Sequence, residues 1–126
     1  MRIFKNAWFS RFADREGITD GELTELVNQL EAGQPRQLVG GVDLGGGVYK
    51  MRLARPGEGK SGGYRVIVFF RSKERTFFEY AFAKADRGNI TEKELRNHKK
   101  SAKMYLSRND EQIRDLLRKR DLIEVL

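Results

Sequence analysis

The sequence predicts an α+β domain in which a small antiparallel sheet, formed by the middle of the chain, is packed by helices from its N-terminal and C-terminal parts. Three observations predict it. Residues 45–84 hold extended apolar segments separated by glycine-rich turns. On either side lie helical patterns opened by capping residues. The 126 residues, 39% of them hydrophobic, suit one domain, 1–126, with a single modest core.

Arg2 to Lys5 reads as a short strand. Trp8, Phe9 and Phe12 then fall on one side of a short helix ending near Gly17, a spacing that suits packing on a sheet better than base stacking. Thr19 to Ala32 is the clearest early helix. Thr19 and Glu22 have capping-box spacing, Leu23, Leu26, Val27 and Leu30 make the apolar stripe, and Gly33 and Pro35 end it. From Gly33 to Gly47, six glycines predict a long irregular connection. Its GVDLGGGV run lacks the context of a nucleotide-binding loop, because a strand pattern, not a helix, comes after the glycines.

That strand, VYKMRLA, alternates, so Lys50 and Arg52 share one face while Tyr49, Met51 and Leu53 share the other. Pro56 to Gly63 is a basic turn with four glycines around Lys60 and Ser61. Two readings stay open for it: backbone amides and the Lys60 ammonium receiving an anion, or glycines serving the turn alone. Tyr64–Arg71 and Thr76–Ala83 read as an antiparallel hairpin. Val66, Val68 and Phe70 oppose Arg65, Ile67, Phe69 and Arg71 across the first strand; Phe78, Tyr80, Phe82 and Lys84 share a face of the second. Hairpin geometry brings Arg65 beside Lys84.

ADRGNI, residues 85–90, is a polar turn before a second capping box, Thr91 and Glu94, and a helix through about Arg108. Leu95, His98, Ala102 and Tyr105 lie on its inner side, which reads His98 as a packed polar residue. Lys93, Arg96, Lys99, Lys100 and Lys103 form its outer face. Asn109 to Arg118 repeats the pattern with Asn109 and Gln112 as a cap, and LIEVL is an edge strand or an extended arm.

The net charge of +7 points to a polyanionic or acidic partner, nucleic acid first, an acidic protein surface second and an anionic membrane third; solubility alone is the competing reading. Placement favours a partner. Between residues 45 and 75, Lys50, Arg52, Arg55, Lys60, Arg65, Arg71, Lys73 and Arg75 face only Glu58 and Glu74. The chain has no cysteine, which excludes disulfides and thiolate metal sites, and its one histidine argues against a histidine-based zinc centre. No apolar run suits a signal peptide or membrane span, so a cytoplasmic protein without membrane partners or cofactors is expected.

The run GGGVYKMRLARPGEGKSGGYRVIVFF, followed by FFEYAFAK, a short polar turn and a Thr-initiated amphipathic helix, closely resembles the RelE/ParE-like toxins of type II toxin–antitoxin modules, especially their HigB-like branch. The resemblance covers most of the chain. It implies a curved antiparallel sheet with helices on one side, and an endoribonuclease acting on messenger RNA, commonly in the ribosomal decoding site, without a metal. It also implies an acidic or compact helical antitoxin encoded in an adjacent gene, often with a helix-turn-helix module. Metal-free RNA cleavage needs alignment of the 2′-hydroxyl, stabilisation of added negative charge and proton transfer. By resemblance, Arg65 stabilises the transition-state phosphate, Lys84 and Arg52 position phosphate, and Lys50 or Lys60 positions it or moves a proton; Ser61, Arg55 and Arg71 extend the phosphate-binding surface. No C-terminal tyrosine or histidine matches the catalytic one of the ribosome-dependent nucleases, since Tyr80 lies in a strand and Tyr105 and His98 in a helix. The general base is left unassigned. Two other readings share the basic face: a ParE-like inhibitor of a protein target and a non-catalytic RNA-binding module.

Overall fold

A computed structural model of the chain describes residues 1–33, 41–55 and 63–126. The turn expected from Pro56, with Lys60 and Ser61, lies outside the described residues as far as Gly62. In chain order the elements are β1 (Arg2–Asn6), α1 (Ala7–Glu16), α2 (Asp20–Ala32), β2 (Val42–Gly45), β3 (Val48–Leu53), β4 (Tyr64–Arg71), β5 (Arg75–Ala83), α3 (Glu92–Leu106), α4 (Asp110–Arg118) and β6 (Leu122–Glu124). The strands form one sheet in the order β2-β3-β4-β5-β1-β6. The α+β class holds, with two corrections to its detail.

The sheet is mixed. β2 to β5 are antiparallel neighbours, but β1 runs parallel to β5, with Arg2 opposite Arg75 and Lys5 opposite Phe78, and β6 pairs antiparallel on the outer side of β1. The parallel pair arises because α1 and α2 carry the chain from β1 to the opposite edge before the meander begins.

Helices also cover both faces, not one. β4 is the reason: every residue from Tyr64 to Phe70 is buried, and its apolar side chains alternate between two cores. Val66, Val68 and Phe70 join Phe9, Phe12, Leu23, Leu26 and Leu30 of α1 and α2. Ile67 and Phe69 join Ala102, Leu106 and Ile113 of α3 and α4. Phe9 and Phe12 pack as the spacing predicts, whereas Trp8 stays 37% exposed, with its ring centroid 4.7 Å from that of Tyr80.

Val42–Gly45 is a strand, where the sequence suggested irregular connection. Its pairing with β3 is set by a turn in which Gly45, Gly46 and Gly47 all have positive φ, conformations that side chains resist. The capping boxes at Thr91 and Asn109 are complete; at Thr19 the hydroxyl accepts from Glu22 N–H without a reciprocal bond. β6 settles the tail as an edge strand, tied by a two-point ion pair from Arg2 to Glu124 at 2.9 Å.

A register shift between β4 and β5 changes which side chains β5 presents to each face. Ile67 pairs with Tyr80 and Val68 with Phe78, leaving Glu79 as the extra residue of a β-bulge. The expected common face of Phe78, Tyr80, Phe82 and Lys84 therefore loses Phe78, which turns to the α1/α2 core while Tyr80 packs on the α3 side.

Candidate nucleic-acid site

The period-two alternation of β3 does what the sequence suggests. Met51 and Leu53 are buried in the α1/α2 core, and Lys50 and Arg52 project from the other face. Arg52 stands directly opposite Arg65 of β4, and Lys50 opposite Ile67. Lys84 follows the end of β5, its amide donating to the Gly63 carbonyl at 2.9 Å. Lys50, Arg52, Arg65 and Lys84 line one cavity of about 300 Å³, together with Gly41, Val42 and Gly88. Four candidates, from β3, β4 and the residue just after β5, thus converge, and none of the described lining residues is a carboxylate.

Arg65 is the anchor of the group. It is only 7% exposed, so its guanidinium is not the solvated head of a snorkelling side chain; Nη1 donates to the Tyr64 carbonyl at 3.4 Å. Burial, and next the charge of Arg52, push its pKa down from the ordinary arginine value. Directly opposed like charges are unfavourable in a sheet, and they are the arrangement an anion relieves.

Lys50 is pushed the same way, first by burial and then by Lys84, Arg65 and Arg52. Its Nζ donates to Asn89 Oδ1 at 3.2 Å, and Lys84 Nζ donates to the Gly88 carbonyl at 2.9 Å. The 84–91 connection, of which residues 85–90 were expected only as a polar turn, therefore forms one wall of the site. Arg87 fastens it: Nε and Nη2 donate to the Asn89 carbonyl at 3.1 and 2.8 Å, and the guanidinium pairs with Glu94 of α3 at 2.6 Å. The same guanidinium lies over the Phe82 ring at 5.3 Å. Arg87 and the Thr91 amide pull the Glu94 carboxyl down to about 2.

Other candidates lie elsewhere. Arg55 sits over Tyr64, whose side chain belongs to the α1/α2 core, and so is on the far side of the sheet. Arg71 donates to the Leu106 carbonyl at 3.0 Å, at the opposite end of β4. Lys60 and Ser61 lie outside the described residues. His98 packs against Phe69 and Tyr80, burial lowering its pKa, and its Nδ1 is 3.9 Å from Glu79 Oε1. A larger cavity of about 620 Å³ runs along α4, where Arg108, Arg114, Arg118 and Lys119 are interleaved with Glu111 and Asp115, and Asp115 pairs with both Arg118 and Lys119, so it lacks the carboxylate-free lining of the cavity at Arg65.

The family model described as the RelE toxin of the RelE / RelB toxin–antitoxin system matches residues 1–125. The chain belongs to the RelE toxin family. Comparison with curated proteins gave no match, and neither did comparison with solved structures. Membership gives this RelE family chain the role of a toxin with a cognate antitoxin partner. Among its described residues, no helix is long and apolar enough to cross a membrane. Arg87 and Asn89 are the site-wall residues of this RelE toxin that sequence reasoning missed; the only local signal was the polar run just ahead of a capping threonine.

Proposed function

We propose that this toxin is a metal-independent endoribonuclease that cuts messenger RNA, on the ribosome, through the cavity formed by β3, β4 and Lys84. The observation that supports this most directly is the convergence of Lys50, Arg52, Arg65 and Lys84 on one cavity, with buried Arg65 directly opposite Arg52. Such a group suits a phosphodiester whose negative charge grows during reaction. In the reaction, the 2′-hydroxyl loses its proton and its oxygen bonds to the adjacent phosphorus. The bond from phosphorus to the 5′ oxygen breaks, and that oxygen takes up a proton, leaving a cyclic phosphate and a 5′-hydroxyl.

Arg65 carries the transition-state charge, since a guanidinium can offer a phosphate two parallel donors. Arg52 and Lys84 hold the phosphate from either side. Lys50, whose neighbours favour its neutral form, accepts the 2′ proton. Ribosome dependence fits a basic cluster without a histidine pair, because the decoding site supplies the alignment that the small cavity does not. The basic strand and GKSGG turn favour the HigB-like branch, and the antitoxin is the product of an adjacent gene, with a helix-turn-helix module. Toxin, message and ribosome meet in the cytoplasm.

The test is mapping of RNA 5′ ends after brief expression. Wild type is expected to leave new ends in ribosome-associated messages, and Arg65→Ala to leave none; loss of one such donor costs on the order of 10²–10³ in rate. Intact messages in growth-arrested cells would refute the nuclease and favour a protein target.

A further inference from the structure

We infer that Asn89 is a positioning residue of this site: its amide oxygen takes one hydrogen of Lys50 and thereby turns the remaining valences of Nζ toward the cavity. The inference rests on the nuclease reading for its catalytic consequence, but the contact stands on geometry. Asn89 Oδ1 accepts from two donors, Lys50 Nζ at 3.2 Å and the Ile90 amide at 2.9 Å. Since both are donors, the oxygen and not the amide nitrogen must face them. The Ile90 bond fixes that orientation whatever Lys50 does. Arg87 holds the Asn89 carbonyl, and Lys84 holds Gly88 beside it, so the residue is anchored on both sides.

A lysine Nζ has three valences beyond Cε. With one N–H committed to Asn89, a neutral Lys50 keeps one N–H and its lone pair for the cavity. Without that acceptor, the flexible stem and freely turning amine are under no such constraint. Among the described residues, the charges that act on Lys50 are those of Lys84 after β5, Arg65 on β4 and Arg52 on β3; Arg87 in the connection is paired to Glu94 of α3, and β2 places uncharged Val42 opposite Lys50. Burial first, and then these three cations, favour the neutral amine. An amide in this position orients the amine without restoring its proton, which a carboxylate would do. In the step itself, neutral Lys50 takes the proton of the 2′-hydroxyl as the new O–P bond forms. The departing 5′ oxygen takes a proton from water, and the hydroxide left behind collects the Lys50 proton.

The experiment compares wild type, Asn89→Asp and Asn89→Ala in two readouts. First, the Lys50 side chain is titrated by NMR with lysine-selective labelling, assigned through Lys50→Arg. Second, single-turnover cleavage of ribosome-bound message is followed against pH. Asp retains the Ile90 cap, so the fold is kept. It is expected to raise the Lys50 midpoint by about one unit, shift the rising limb of the rate profile by the same amount, and slow cleavage about tenfold below that limb. Asn89→Ala is expected to lower the saturating single-turnover rate about tenfold with the half-saturating concentration unmoved, as a misdirected amine would. An unmoved Lys50 midpoint in Asn89→Asp overturns the inference. So does a moved midpoint with an unmoved rate limb. If the midpoint moves and wild type cleaves nothing, the contact stands and the nuclease reading falls.

Discussion

At the residue scale, Glu79 shows how one inserted position creates an ionisable site. The bulge puts its carboxyl among Asn6, whose Nδ2 donates to Oε2 at 3.3 Å, and His98, and burial raises its pKa from 4.5 to about 7. An acid with a higher pKa folded than unfolded leaves the folded state holding the extra proton. Stability therefore falls as pH rises from about 4.5 to about 7 and is level above that. The size is about 3 kcal/mol over the window. Glu79→Gln, which can still accept from Asn6, is expected to remove the slope and to unfold at higher temperature than wild type near pH 8. Thermal melts at about pH 5 and about pH 8 check this; parallel slopes in the two proteins would count against it. Glu79 was invisible as a site residue in the sequence, because a period-two reading of FFEYAF has no place for an extra residue.

At the scale of elements, the β3–β4 pair depends on an approach that only glycine allows. A Cβ on Gly63 would strike the Leu53 carbonyl and lie 2.9 Å from the Arg55 amide nitrogen, backbone atoms that cannot swing aside. Gly63→Ala is expected to cost about 1–3 kcal/mol and to shift Arg65 against Arg52, so cleavage should fall by more than stability alone explains. Comparing denaturant midpoints with cleavage rates at a temperature where both proteins are folded separates the two effects. The strands that carry the site were legible in the sequence because each is regular where its charges sit: Lys50 and Arg52 alternate with buried neighbours, and Arg65 opens a run buried on both faces. β2 was not legible, since its terminal glycine, the glycines that flank it and its exposed edge position erase the pattern on which strand reading depends. The wall formed by Arg87 and Asn89 escaped for another reason. Its role is set by tertiary contacts to Glu94 and Lys50, and a polar hexapeptide carries no sign of which partners it will meet.

At the scale of the whole molecule, the clustered charge links folding to anions. A phosphate that binds the folded cavity and not the unfolded chain stabilises by mass action, about 2.7 kcal/mol at a hundredfold excess over its Kd. Inorganic phosphate is accordingly expected to raise the melting temperature of wild type well beyond that of Arg65→Ala, with chloride at equal ionic strength as control. Equal shifts in the two proteins would place the anion elsewhere. The parallel pairing of β1 with β5 was beyond sequence reading, because it joins segments from distant parts of the chain and neither carries a local mark of its partner. That pairing also dictates an order of assembly during synthesis. β1 is made early but has no neighbour until β5 emerges, and β6 is added last of all. The meander β3–β4–β5, by contrast, is contiguous, and its pairing waits on no strand made later. The described lining of the cationic cavity, from Gly41 to Gly88, is thus all synthesised before the final strand that closes the sheet.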